Sequence, residues 1–293
     1  AAVYLFRPKD PVRSVDQGVE VYYTLQEDVD RVAIEFLDGT GGVIRSFENI
    51  REEETEEQED TTASAAGPGP RNRDPVPSLE AGSHRLTWNL RHEGYTDFEG
   101  RIFWAAGNNG PITAPGDYRV RLRVEGRAQE RDFTVRIDPR LVDQVSIGDL
   151  QERFELAMDV RDRVSEANEA VLRARDIKSR IDDRVKDSEN LELKSLGATV
   201  KDRLAAVEGE IYQVRNESNQ DPLNFPIKLN NKLASLLGII ESAEARPTAQ
   251  VYEVFEMLSG QLDTELQQLT LIIQQDLARL NELLRSLGMD PIE

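Results

Sequence analysis

Side chains able to do chemistry gather in one stretch of this sequence, His92 to Pro115, reading HEGYTDFEGRIFWAAGNNGPITAP. Together with Trp88, it brings Tyr95, Phe98, Phe103 and Trp104 close to the amides of Asn108 and Asn109. Aromatic faces beside amides suit a sugar-binding groove, because a sugar ring offers C–H faces to the rings and hydroxyls to the amides. A large loop folded over the end of a sheet uses the same residues for its own packing, so both alternatives stay open. Glu93, Asp97 and Glu99 lie in this stretch too. They are the candidates for glycoside cleavage, which needs two carboxyl groups about 5 or 9 Å apart across a cleft. Nothing in their spacing sets such a separation. The chain has no G-x-S-x-G, phosphate-binding loop, H-E-x-x-H or dinucleotide fingerprint, so no catalytic residue is assigned. Cysteine is absent and His84 and His92 are the only histidines, which removes thiolate chemistry and leaves little for zinc. Both histidines read as hydrogen-bonded structural residues, and neither metal nor cofactor is expected.

The formal net charge of −19 repels phosphate and argues against a nucleic-acid partner. No apolar run reaches the roughly 20 residues of a membrane span, and no basic-then-apolar leader is present. AAVYLFRP at the start reads as a strand without an initiating Met, so the chain is expected to begin inside a folded region with sequence removed upstream. With 293 residues and 39% apolar content, the chain can build two cored domains.

Around the aromatic stretch, residues alternate in the period-2 manner of half-buried strands. Val19 to Leu25, Arg31 to Leu37 and His84 to Leu90 alternate in this way, Val3 to Phe6 is a short β-favouring run, and Val43 to Phe47, Tyr118 to Val124 and Arg131 to Ile137 are read as hairpin arms. Asp38-Gly39 with Gly41-Gly42, and Glu125-Gly126-Arg127, supply hairpin turns. These runs predict an immunoglobulin- or fibronectin-like β-sandwich over residues 1–139. Between them, residues 49–82 carry REEETEEQED and then TTASAAGPGPRNRDPVP, too acidic and too rich in Gly and Pro to bury apolar area. This predicts a disordered acidic insertion. A calcium-collecting or partner-binding tail is the alternative, without the Asp-x-Asp-x-Asp-Gly spacing that calcium loops use.

From residue 140 the period changes to 3.6. Ser146 followed by Asp149 opens a helix over about 147–186, whose Leu150, Phe154, Ala157, Val160, Val164, Ala167, Val171, Ala174, Ile177, Ile181 and Val185 make one seam. Further helices are predicted over about 190–216, 226–243 and 247–287. Pro226 and Pro247 open the last two, and Gly288 closes the final one. The whole reads as an α+β multidomain chain, a sandwich followed by an antiparallel up-down four-helix bundle. Helix periodicity of this kind is accounted for by core packing, ahead of a lipid or pigment groove.

AAVYLFRP, HRLTWNLRHEG, APGDYRVRL, RDRVSEANEAV and PLNFPIKLNNKL followed by ARPTAQVYEVFEML resemble the C-terminal region of large bacterial secreted proteins. These are the proteins described as sortilin-like (VPS10-type) or BNR-repeat glycosyl-hydrolase-like. The resemblance covers nearly the whole chain except the acidic insertion. It implies an upstream β-propeller that carries any sugar-cleaving activity, and a periplasmic or extracellular location. It therefore implies a non-catalytic accessory or protein-interaction module, docking on the propeller or on a larger cell-surface or membrane-associated assembly. The alternative is a glycan-binding or glycoside-hydrolase-associated module using residues 88–115, with Trp88, Tyr95, Trp104, Asn108 and Asn109 as the contacts.

Overall fold

The computed structural model describes residues 3–16, 18–51 and 74–292. The acidic run falls largely outside the described residues. Its predicted limits are too wide at both ends: Asn49 and Ile50 complete a strand and Gly82 opens one. The reason is tertiary, because the Asn49 side chain donates to the Pro77 carbonyl at 2.8 Å and the Ser78 N–H donates to the Tyr23 hydroxyl at 2.7 Å.

Two compact units divide the chain, Ala1–Glu93 with Ile112–Gln151, and Gly94–Pro111 with Glu152–Glu293. The first holds seven strands among the described residues: β1 (Val3–Leu5), β2 (Val19–Leu25), β3 (Arg31–Leu37), β4 (Val43–Ile50), β5 (Gly82–Trp88), β6 (Gly116–Val124) and β7 (Arg127–Val135). They form two antiparallel sheets, ordered β1-β2-β5 and β4-β3-β6-β7. Alternation along each strand sends Leu5, Val21 and Tyr23 from one sheet, and Ile34, Phe36, Leu122 and Phe133 from the other, into a single core. Phe36 stacks on Trp88 with centroids 4.4 Å apart. The β6–β7 turn is two residues, Glu125 and Gly126, both at positive φ, which matches the twist of the flanking strands.

The helical unit continues from α1 (Ile147–Val185) through α2 (Leu191–Ile211) and α3 (Leu229–Ile240) to α4 (Ala249–Leu271) and α5 (Ala278–Ser286). A reciprocal cap starts α1: the Asp149 N–H donates to Ser146 Oγ and the Ser146 N–H to the Asp149 carboxylate. On the seam, Ala157, Val160, Val164, Ala167, Val171, Ala174, Ile177 and Ile181 are buried. α2 approaches so closely that a Cβ at Gly197 would lie 3.1 Å from Ile181 and Val185. At the far end, Gly288 takes positive φ, and Met289 and Gly288 donate back to the Leu284 and Arg285 carbonyls, closing α5.

Helix limits differ from the periodicity in three places. α2 stops at Ile211 rather than 216, because Tyr212 swings to extended backbone and takes up partners elsewhere in the unit. α3 covers 229–240 rather than 226–243: Lys228 is its extended first cap, the Pro226 carbonyl accepts from Gln213, and the Ala243 carbonyl accepts from Arg153. The last helix is not one α-helix. Between α4 and α5, Ile272–Leu277 forms a π-helical turn, which lets both Ile272 and Leu277 face the core five residues apart. Among the described residues, no helix is long and apolar enough to cross a membrane.

Gly18 has the tightest backbone requirement in the strand unit. Its φ is +151° and a Cβ there would sit 2.0 Å from the Trp88 carbonyl oxygen. Gly18→Ala is expected to destabilise the chain by about 2–3 kcal/mol. Gly126→Asn, in an open turn at positive φ, should stay within about 0.5 kcal/mol of wild type. Urea midpoints at constant slope check both.

Candidate functional site

The aromatic stretch is divided between the two units. Its base is held in the strand unit, where Arg91 bridges Ile112 and the Thr113 N–H donates to the Leu90 carbonyl at 2.8 Å. Trp88 belongs to that unit's core: it is fully buried and its indole N–H donates to the Arg91 carbonyl at 2.8 Å. As a ligand contact it is excluded, because no face of the ring reaches solvent. Glu93 also falls in the strand unit, 3.6 Å from the Arg45 guanidinium. His84 bonds the Glu80 carbonyl at 2.7 Å, and His92 is half-buried beside the Arg91 bridge.

Gly94–Pro111 groups instead with the helices. An irregular segment that enters a core brings backbone N–H and C=O groups that need partners. α1 meets two such groups of Thr96, and its hydroxyl as well. Ser165 Oγ accepts the Thr96 N–H at 3.0 Å, Asn168 donates to the Thr96 carbonyl at 2.6 Å, and Glu169 accepts the Thr96 hydroxyl at 2.8 Å. From α3, Asn231 accepts the Trp104 N–H at 2.7 Å and donates to the Trp104 carbonyl at 3.0 Å. Asn230 donates to Asn168 at 3.0 Å and accepts the Asn231 N–H at 2.8 Å, joining the two sets. The Tyr212 hydroxyl accepts the Ile102 N–H at 3.1 Å.

With its backbone satisfied, the segment contributes its rings to packing. Tyr95 is buried in the helical core, with Phe98 and Phe103 packed against it. Phe98 meets Tyr212 edge-on at 5.1 Å, and Arg175 lies over both rings. Arg101 stands 4.2 Å over Phe103 and 5.3 Å from Tyr95. Burial pushes the Tyr95 phenol up to about 12, with the Arg101 charge opposing and Asp97 adding. Its hydroxyl donates to the Gly107 carbonyl at 3.1 Å.

The remaining site residues fall as follows. Asp97 is paired with Arg101 at 2.5 Å. Partial burial opposes its ionised form, but the Arg101 hydrogen bond and charge, the Phe98 N–H and Asn108 outweigh that and hold the carboxyl below the usual range. Asn108 is exposed, and its side chain donates to the Tyr95 carbonyl at 3.0 Å and to Asp97 at 3.3 Å, bracing the segment from its surface. Glu99 and Asn109 are exposed, and Trp104 is 42% exposed. Of the three acids only Asp97 and Glu99 share a unit, and Asp97 already has its cation. Among the described residues, no group of three His, Asp or Glu could hold a metal ion.

The residues that control this segment, Asn168, Asn230 and Asn231, do not stand out by residue type. A signal is present in the sequence nonetheless. Asn168 is four residues after Val164 and three before Val171, and Asn230 is three before Leu233, so polar amides sit on apolar stripes.

Two outcomes are expected. Asn231→Leu keeps the volume but strips the Trp104 N–H and C=O of their partner, and should destabilise by about 2–4 kcal/mol in chemical denaturation. Because the Asp97 pKa is lowered in the fold, its contribution is present above the unfolded carboxyl pKa and is lost as pH falls through the lower folded value. Asp97→Asn should therefore flatten the acid limb of a Tm-versus-pH curve below about pH 4 and leave the curve above about pH 6 parallel to wild type.

No family model matches the chain, and no curated protein matches it. Among solved structures, it is similar to CopC from Methylosinus trichosporium OB3b at 17% identity, with 46% of this chain and 95% of that chain covered and a TM-score of 0.23. A likeness at that level carries no argument about fold or function.

Proposed function

We propose that this chain is a non-catalytic protein-interaction module of a secreted or periplasmic sortilin-like or BNR-repeat protein. In this reading an immunoglobulin-like sandwich and an up-down helical bundle together dock on an upstream β-propeller or a larger cell-surface assembly. The observation that supports it most is how the Gly94–Pro111 segment is used. Within the stretch that looked most like a ligand groove, the backbone groups of Thr96, Ile102 and Trp104 are bonded by Ser165, Asn168, Tyr212 and Asn231. The best-placed acid there is neutralised by Arg101. Anchoring of this kind, with Tyr95 buried in the helical core, supports a packing role for the segment over sugar binding. The net charge of −19 fits a partner surface that is neutral or basic.

The test is the native polypeptide. It should be several times heavier than the 33.1 kDa of this chain, with a propeller upstream. That upstream region, expressed separately, should co-sediment with the chain, and the isolated chain should not hydrolyse aryl glycosides. A native species of 33.1 kDa that captures no protein from its source, or glycoside turnover by the isolated chain, would overturn the proposal.

A further inference from the structure

The sheet β1-β2-β5 sends Leu5, Val21, Tyr23, Leu86 and Trp88 into the core, so its other face meets solvent. Antiparallel pairing sets one row of side chains across that outer face. The Phe6 N–H donates to the Tyr22 carbonyl at 3.0 Å, and Tyr22 is opposite Arg85. Tyr4 stands beside this row, with its ring 4.8 Å from Phe6 in an edge-on pair. Tyr4, Phe6 and Tyr22 are 50%, 45% and 45% exposed. They are also held in place: Tyr22 donates to one oxygen of Glu20 at 3.1 Å, Arg85 donates to the other at 3.1 Å, and the Arg131 guanidinium lies 5.5 Å from the Tyr4 ring. One rung further along the same face opens a cleft of about 340 Å³, lined by Lys9, Asp16, Glu20, Arg85 and Thr87.

Size and charge select the occupant. Half of each ring is exposed, so the three together present roughly 300 Å² of apolar surface. A cleft of 340 Å³ is on the scale of small-ligand sites. Lys9 and Arg85 balance Asp16 and Glu20, so the cleft has no net charge, and the chain as a whole is strongly acidic. Acidic polymers and phosphate are therefore disfavoured. Exposed rings beside a charge-balanced polar cleft suit a ligand with apolar C–H faces for the rings and many uncharged hydroxyls for the carboxylates, guanidinium and ammonium.

We infer that the outer face of β1-β2-β5 binds a neutral oligosaccharide, stacking sugar rings on Tyr4, Phe6 and Tyr22 and bonding their hydroxyls in the Glu20–Arg85 cleft. This is a different surface from the Trp88–Asn109 stretch, and it does not depend on docking to a propeller. Titration calorimetry of the purified chain with cellohexaose, chitohexaose and mannohexaose, each up to the millimolar range, tests it. At least one should bind. Phe6→Ala and Tyr22→Ala should each weaken that binding about 3- to 10-fold, while Tyr22→Phe, which keeps the ring, weakens it less. Trp104→Ala should leave it unchanged. The three substituted positions are exposed, and unaltered melting curves confirm that the variants fold. Absence of binding for all three saccharides overturns the inference, as does binding that survives Phe6→Ala and Tyr22→Ala or is lost only in Trp104→Ala. If no saccharide binds but the upstream region associates in a Tyr22-dependent way, this face is a protein contact. The glycan assignment then fails while the docking proposal stands. Saccharide binding without any complex with the upstream region does the reverse, upholding the glycan assignment and removing the docking proposal.

Discussion

A buried amide side chain has to find partners, and the helical unit is organised around that constraint. Asn168, Asn230 and Asn231 are almost wholly buried, and each is bonded to its neighbour or to the backbone of Gly94–Pro111. The relation is mutual. An irregular segment could not enter this core unless its carbonyls and N–H groups were met there. The amides, in turn, could not stay on apolar helix stripes without the segment to bond. Each orphaned group of this kind costs about 1–3 kcal/mol, a large share of a domain's net stability. Once the segment is anchored, Tyr95, Phe98 and Phe103 become core side chains rather than a surface.

Charged groups around this network differ in weight. The Asp97–Arg101 pair is partly exposed, and such pairs contribute no more than about 1 kcal/mol. Arg101 matters more as a planar group lying over Phe103 and Tyr95. Glu208 is different in kind. Only 5% of its side chain is exposed, and both Arg175 and Lys178 reach it from α1, so removing either cation leaves a buried carboxylate half-compensated. Arg175 also covers Phe98 and Tyr212, which links this ion cluster to the anchored segment.

Aromatic residues thus fall into two populations. Trp88, Tyr95, Phe98 and Phe103 fill cores although they stand in or beside the most ligand-like stretch of the chain. Tyr4, Phe6 and Tyr22 stay half-exposed although they stand in or beside ordinary strands. Folding does not require the second group, since the outer face of a solvated sheet accepts polar residues at the same positions.

Local pattern determined much of this protein without help. Alternation and turn signals located the seven strands of the described residues but not all their limits: β4 runs on to Ile50, β5 spans Gly82–Trp88 rather than His84 to Leu90, and β7 spans Arg127–Val135 rather than Arg131 to Ile137. The three-four spacing located α1 and most of its buried seam, with Phe154 and Val185 only half-buried. Ser146 with Asp149 and the Gly288 closure followed from residue type, because caps are decided within a few residues, while the turn read as Glu125-Gly126-Arg127 is one residue shorter, with Arg127 already paired in β7. Tertiary structure decided what depends on distant partners. It ended α2 at Ile211 so that Tyr212 could reach Ile102, and it put a π-helical turn between α4 and α5 to keep Ile272 and Leu277 on one face. It also assigned Gly94–Pro111 to the helices rather than the strands that flank it. Burial of a ring or pairing of an amide is settled by residues tens of positions away. Trp88 and Trp104 therefore look alike in the sequence and meet opposite fates in the fold.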